Sequence, residues 1–454
     1  MIPGTTPSTQ PPPDPAPRLT GEISADARVL AECAAATDAL LAGLPGRADR
    51  TAEQQRTAEA ALVTAREVRR AFLARHVDEV YGLLTDAGSV RLRLPELLRE
   101  AADRFPGLVP TEEQMRAEHA RIQAARDGRE VDQAVFCGAV LRSPAAGTHL
   151  IDTMLLPTSR ALDLLEEFRR ADRVDLGSVL VERRGHGAHV TIRNAHCLNA
   201  EDNRLMADLE TAADLALLDD RVRVGVLRGA PVEHPRYAGR RVFSAGINLK
   251  DLRNGRISFV DFLLGRELGF INKLARGVLT RPERQVWAER TVQKPWVGAV
   301  DTFAIGGGMQ ILLVLDRVIA ETDAYVSLPA AEEGIVPGLG NLRLTRRTGA
   351  TLARQILLGG RRVRMTDPEA GLLCDEVVPA ADMDEAVERA VRELGSPAVA
   401  ANRSMLMLTE EPLDLFRGYL AEFAEVQVAR AYSDDVMAKV ERRWQQSRTR
   451  AERA

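Results

Sequence analysis

Between about Ser24 and Arg170 apolar residues recur at three- and four-residue steps, and strand-like runs are nearly absent. The stretch AEQQRTAEAALVTAREVRRAFLARHVDEVYGLL keeps that spacing throughout, which predicts a long amphipathic helix. Prolines at Pro45, Pro95, Pro106, Pro110, Pro144 and Pro157 cut the region into several helices, a long arm or a small bundle. Nothing in it carries chemistry, so its expected part is packing or oligomerisation.

The pattern changes near Val174. VLVERRGHGAHVTIRN alternates apolar and polar residues around a Gly-x-Gly and predicts a hairpin. Next come a helical EDNRLMADLETAADLALLDD, a buried strand VRVGVLRGA, and KPWVGAVDTFAIGGG as a strand entering a turn and helix. DRVIAETDAYVSLP reads as a strand pair and NLRLTRRTGATLARQILLGG as a helix ending at glycine. This alternation predicts an α/β fold with parallel strands and helices outside. From about Ser396 to Ala454 the spacing is helical again. The expected divisions are a proline-rich leader at 1–23, a helical domain at 24–173, the α/β core at 174–395 and a helical region at 396–454.

Composition narrows the function classes. A net charge of −4 argues against a general nucleic-acid partner or a membrane surface. MIPGTTPSTQPPPDPAP has neither the cationic nor the apolar segment of a secretory signal and reads as disordered. The apolar run around Ala304 to Leu315 lies between Asp301 and Asp316, too short to span a bilayer. Cys33, Cys137, Cys197 and Cys374 are far apart and suggest no metal ribbon or disulfide framework, so a reducing cytoplasm is expected. His186, His189 and His196 cluster in sequence, but the glycine hairpin around them reads as a solvated turn, and no metal site is expected.

Two glycine turns hold the candidate chemistry. FSAGINLKDL (Phe243 to Leu252) and AIGGGMQILLVL (Ala304 to Leu315) each place small residues before a helix-like run, where backbone N–H groups are free to bind an anion. Two such sites could meet on one oxygen. The dinucleotide, P-loop, zinc-protease and serine-hydrolase motifs are all missing.

Taken in order, HCLNAE, FSAGINLKDL, KPWVGAVDTFAIGGGMQ, DRVIAETDAYVSLPAAEEGIVPGLGNLRLTRRTG and ARQILLGGRRVRMTDPEAGLLCDEVVP resemble the crotonase, or enoyl-CoA hydratase and isomerase, superfamily. The resemblance covers about 174–394 and implies a core of spiralling ββα units with C-terminal helices that pack across subunits of a homo-trimer or hexamer. It also implies an acyl-CoA thioester whose oxygen rests between the N–H groups of Ile247 and Gly307, with Gly246 and Gly308 beside them. A thioester enolate carries its charge on that oxygen, and two fixed donors stabilise it.

The chain departs from the hydratases of this superfamily where their two carboxylates stand. Gln310 and Ala330 occupy those positions, so hydration is not expected. Glu332 and Glu333 keep their spacing to Gly334 and read as structural or solvent-facing. Glu201 could be a helix N-terminal carboxylate or part of the acyl pocket, and Arg266 could be a solvated surface residue. Together with Gln310 they would instead form a polar set for ring hydroxyls. That combination is similar to the branch that adds dioxygen to an arylacetyl-CoA in antibiotic biosynthesis, without metal or flavin. The branch implies an aryl-glyoxylate and free CoA as products; O2 is expected in an apolar niche near Ile247 and Ile335. Another crotonase activity (hydrolase, decarboxylase or isomerase) and a non-catalytic acyl-CoA-binding protein remain alternatives. Arg343, Arg346 and Arg347 read as structural or close to the CoA phosphates.

Overall fold

The computed structural model describes residues 19–442 other than Gln285 and Val440, so most of the expected leader lies outside it. Seven helices come first: α1 (Ile23–Ala42), α2 (Ala52–Leu84), α3 (Leu94–Arg104), α4 (Glu112–His119), α5 (Arg129–Arg142), α6 (Pro144–Met154) and α7 (Ser159–Ala171). Their starts follow capping chemistry. Thr51 with Gln54 and Thr111 with Gln114 form reciprocal capping boxes, and Pro95 and Pro144 sit in first turns, where proline's missing N–H costs nothing.

The core begins with β1 (Arg173–Asp175), β2 (Val179–Arg184) and β3 (Gly187–Ile192), joined antiparallel. Then follow α8 (Asn203–Leu218), β4 (Val224–Gly229), α9 (Leu249–Arg253), two π-helical turns (Phe259–Leu264 and Glu267–Ile271) and α10 (Asn272–Arg276). A ribbon of β5 (Val278–Leu279) and β6 (Thr291–Val292) encloses α11 (Trp287–Arg290). Next are β7 (Trp296–Val300), β8 (Phe303–Ile305), α12 (Gly307–Leu312), β9 (Arg317–Glu321), β10 (Tyr325–Ser327), α13 (Ala330–Glu333) and α14 (Gly340–Leu357). The chain continues through β11 (Val363–Arg364), β12 (Glu376–Val378), α15 (Met383–Leu394), α16 (Pro397–Glu410) and α17 (Leu413–Ala431).

Seven strands form one sheet in the order β1-β2-β3-β4-β7-β9-β12, parallel from β3 onward. The period-two pattern divides its faces: Val297 and Ala299 pack with Met383 and Val387 of α15, while Trp296 and Val300 face the main core. DRVIAETDAYVSLP is not a strand pair. Its two strands enter different sheets, because β10 pairs in parallel with β8 (Tyr325 opposite Phe303) in a second sheet of order β11-β10-β8. Each of β7-β8-α12 and β9-β10-α13 is thus one strand in the large sheet, one in the small sheet and a helix, which is the ββα spiral. The helix expected over 341–360 is broken at Gly349 (φ 73, ψ 165).

The C-terminal helices also pack within their own chain. α17 lies along α5 of its own chain, with Phe416, Leu420, Phe423 and Val428 in one apolar cluster with Val135, Phe136 and Val140. Gly138 permits the approach, since a Cβ there would stand 3.0 Å from the Ala421 carbonyl. On α16, by contrast, Met405, Leu406 and Leu408 are exposed.

One buried carboxylate ties these parts together. Glu130 of α5 accepts the Phe259 N–H at 2.9 Å, where the first π-helical turn begins, and the Tyr432 hydroxyl at 2.8 Å just beyond α17. Burial would raise its pKa, but hydrogen bonds from His119, Phe259 and Tyr432 outweigh that and hold the carboxyl below the usual carboxylate range. Glu130→Ala strands these donors, so it should cost about 3 kcal/mol of stability, read as a lower urea midpoint at pH 7.

Candidate active site

The segment between Ser258 and Arg276 is buried along most of its length, with Asp261 exposed. Phe262, Phe270 and Ile271 face the α/β core, whereas Phe259, Leu264 and Leu268 face the cluster built with the N-terminal helices and α17. Within its buried part it carries adjacent Arg266 and Glu267, 4% and 1% exposed. Local partners meet that cost. Arg266 Nε donates to Glu201 Oε2 at 2.8 Å, Nη1 to Glu267 Oε1 at 2.7 Å and Gln310 Oε1 at 3.1 Å, and Nη2 to the Gly307 carbonyl at 2.8 Å. Surface solvation is therefore not its setting. Four of its five N–H groups are engaged, so one on Nη2 is left for a ligand.

Glu201 stands at the cavity and not at the helix N-cap; Asp202 caps α8, accepting the Leu205 N–H at 2.8 Å. Backbone pairing places it. Glu201 N donates to the Gly246 carbonyl at 2.7 Å and Asn248 N to the Glu201 carbonyl at 2.8 Å, a bridge that uses the groups on either side of Ile247 and leaves the Ile247 N–H out. Gly246 has φ 84, and its N–H is held by Ser244 Oγ at 3.0 Å.

The second glycine turn meets the first. Ile305 N donates to the Ser244 carbonyl at 2.9 Å, and a Cβ on Gly246 would come within 3.1 Å of the Ile305 carbonyl. Gly306 takes φ 55, ψ −118 and launches α12, so the Gly307 N–H lies in a first turn, where no intrahelical acceptor exists. A Cβ on Gly307 would stand 2.3 Å from Glu201 Oε2, so only glycine lets the carboxylate lie against this turn.

These groups line one cavity, together with Leu328, Pro329, Ala330 and Ile335. It gathers Glu201, Ile247, Arg266, Gly307, Gln310 and Ile335. Of the other expected contacts, Gly246 faces the second glycine turn, and Gly308 packs behind the wall, where a Cβ would meet Ser244 Cβ at 2.7 Å. Sequence reasoning missed Glu267, although two adjacent charges inside FLLGRELGFI were a signal for it. Glu333, half-buried, also lines the cavity, while Glu332 is exposed. Phe423 and Gln427 of α17 complete the wall, and Gln427 Oε1 accepts the Val336 N–H at 2.7 Å.

The ion pairs continue away from the cavity. Arg343 Nη1 is 3.5 Å from Glu267 Oε2, and Arg343 grips Glu411 through Nε and Nη2 at 2.9 and 3.0 Å. Arg276 lies 3.4 Å from the same carboxylate. Burial would raise the Glu411 carboxyl, but the Arg343 and Arg276 guanidiniums outweigh it and hold it below the usual range; burial pushes Arg276 itself down to about 10. Arg343 is thus structural. Among the described residues no group of three or more His, Cys, Asp or Glu side chains could hold a metal ion, and no helix is long and apolar enough to cross a membrane.

Spiralling ββα units whose two glycine turns meet at a cavity are the crotonase architecture, and a model of the enoyl-CoA hydratase/isomerase family matches residues 271–417. The chain belongs to that superfamily. Within it, the (3,5-dihydroxyphenyl)acetyl-CoA 1,2-dioxygenase of Amycolatopsis orientalis is 53% identical over 424 residues, covering 93% of this chain and 97% of that protein. A probable enoyl-CoA hydratase of Rhizobium meliloti is 29% identical over 245 residues, 52% of this chain and 85% of its own. Among solved structures, an enoyl-CoA hydratase/isomerase from Pseudoalteromonas atlantica T6c superposes with a TM-score of 0.48 at 19% identity, over 59% of this chain and 97% of that one.

Gly307→Ala should force the Glu201 carboxylate off its seat and cost about 1–3 kcal/mol in urea unfolding. Gly371→Ala, with nothing within 4 Å of the new methyl, is the matched control and should change the midpoint little.

Proposed function

We propose that this chain is a dioxygenase that converts (3,5-dihydroxyphenyl)acetyl-CoA and O2 to (3,5-dihydroxyphenyl)glyoxylate and CoA. The observation that carries the reading is the cage around Arg266, which occupies the acyl cavity where hydratases of the superfamily keep acid–base carboxylates. It is supported by identity to the Amycolatopsis enzyme that extends through the helical region as well as the core.

The cage suits a dihydroxylated ring. Arg266 fixes Glu201 and Glu267 as acceptors for phenolic O–H groups and has one N–H to give to a phenolic oxygen. Gln310, whose Oε1 is held by Arg266, offers its amide N–H groups as donors. With the ring seated, the thioester oxygen rests on the Ile247 and Gly307 N–H groups, which lower the cost of passing a proton from the benzylic CH2 to a carboxylate lining the cavity.

The carbanion is delocalised over ring and thioester and can give one electron to O2 held in the apolar niche by Ile247 and Ile335. Recombination forms the Cα–O bond of an α-peroxide. Its terminal oxygen attacks the thioester carbonyl, the C–S bond breaks and CoA leaves as thiolate. The O–O bond then cleaves as Cα loses its remaining proton, which the thiolate takes up, leaving a ketone and a carboxylate. Both atoms of O2 are in the product. The electrons come from the substrate, so this sequence calls for neither metal nor flavin, and CoA enters as part of the substrate. Cytoplasmic location and assembly as a homo-trimer or hexamer belong to the same reading, with Met405, Leu406 and Leu408 of α16 as a face that copies could share.

Metal-stripped protein given (3,5-dihydroxyphenyl)acetyl-CoA in a sealed oxygen-electrode cell should consume O2 and release free thiol in equal amounts. Thiol release without O2 loss would mean a hydrolase, and neither signal would favour a binding protein. Arg266→Ala should reduce kcat/KM for the dihydroxylated substrate by about 100-fold, which corresponds to about 3 kcal/mol, and reduce it much less for phenylacetyl-CoA. Equal losses on both would remove Arg266 from ring recognition.

A further inference from the structure

Glu411 touches no part of the cavity, yet a continuous line of buried charges joins it to the ring cage: Glu201, Arg266, Glu267, Arg343, Glu411 and Arg276 alternate in sign. Their side chains are between 1% and 6% exposed. Glu411 lies at the junction of α16 and α17, and Arg276, its second partner, places its guanidinium carbon 5.0 Å from the centre of the Phe416 ring.

The two ends of Glu267 are claimed by different arginines, Oε1 by Arg266 at 2.7 Å and Oε2 by Arg343 at 3.5 Å. The second contact is a long one made through Nη1, while Arg343 gives Nε and Nη2 to its two-pronged partner Glu411. Without that partner, Arg343 would be a buried guanidinium whose remaining carboxylate is Glu267. It would be drawn there, and Glu267 would turn from Arg266 toward it. Arg266 would then lose one of the acceptors that set its plane.

We infer that Glu411 is a positioning residue for recognition of the hydroxylated ring: by occupying Arg343 it leaves Glu267 to Arg266 and so fixes the cage. The inference rests on the reading of the cage as a ring-hydroxyl site given above. It also makes the cage sensitive to the α16–α17 junction, which lies outside the cavity.

The test is calorimetric binding of (3,5-dihydroxyphenyl)acetyl-CoA and of phenylacetyl-CoA without oxygen, where the oxygenation cannot proceed. Wild type, Glu411→Gln, Glu267→Gln and the double variant are compared. Wild type should prefer the dihydroxylated ring. Glu411→Gln should cut that preference by about tenfold while moving the phenylacetyl-CoA Kd no more than about twofold, and in the Glu267→Gln background it should have almost no further effect. A preference kept in Glu411→Gln, an equal loss for both thioesters, or full additivity with Glu267→Gln would overturn the inference and leave the ring reading standing. A wild type without preference would overturn the ring reading, and this inference with it. If Glu411→Gln does not fold, Arg343→Lys, which keeps the charge but loses the fork, carries the same expectations and the same refutations.

Discussion

A guanidinium cannot be left bare inside a protein, and much of the site follows from meeting that demand at Arg266. Taking an ion out of water costs several kcal/mol even after relaxation, and removing one partner of a buried pair costs about 3–5 kcal/mol. Arg266 is met by two carboxylates, a side-chain amide and a backbone carbonyl drawn from three stretches of chain. Those stretches are the approach to α8, the π-helical segment itself and α12. Satisfying one charge therefore sets the positions of elements that otherwise share no sequence neighbourhood.

The same contacts link side-chain and backbone chemistry. Arg266 Nη2 binds the carbonyl of Gly307, and the Gly307 N–H lies at the cavity, so in the proposed reading ring recognition and oxyanion stabilisation share one peptide turn. Glu201 has a similar double part. Its backbone brackets Ile247, while its carboxylate rests against the Cα of Gly307. A shift in either glycine turn would disturb both the donors and the cage.

The helices outside the core act on this arrangement from behind. Glu130 of α5 caps the start of the π-helical segment, and α17 supplies Phe423 and Gln427 to the cavity wall. Tyr419, also on α17, donates to the Gly338 carbonyl at 2.9 Å, close to where Glu267 packs. The N-terminal helical region is thus a support for the segment that carries Arg266, which gives a physical reason for its presence beside a crotonase core.

Much of this could be read from the chain alone. Helical spacing, the hairpin around Gly185 and the two glycine turns are local signals, and the order of motifs pointed to the superfamily. Local pattern could not separate β9 from β10 into two sheets, because pairing partners are chosen across the fold and not along the strand. Arg266 and Glu201 were recognisable as polar residues in apolar surroundings, but solvation and burial give them opposite meanings. Sequence by itself determined which backbone turns could offer N–H groups, since glycine content limits backbone conformation and approach locally. Only the tertiary structure decided that Glu267, Glu333 and α17 share the cavity and that charge runs from Glu201 to Arg276, because those contacts join residues brought together by burial and not by spacing.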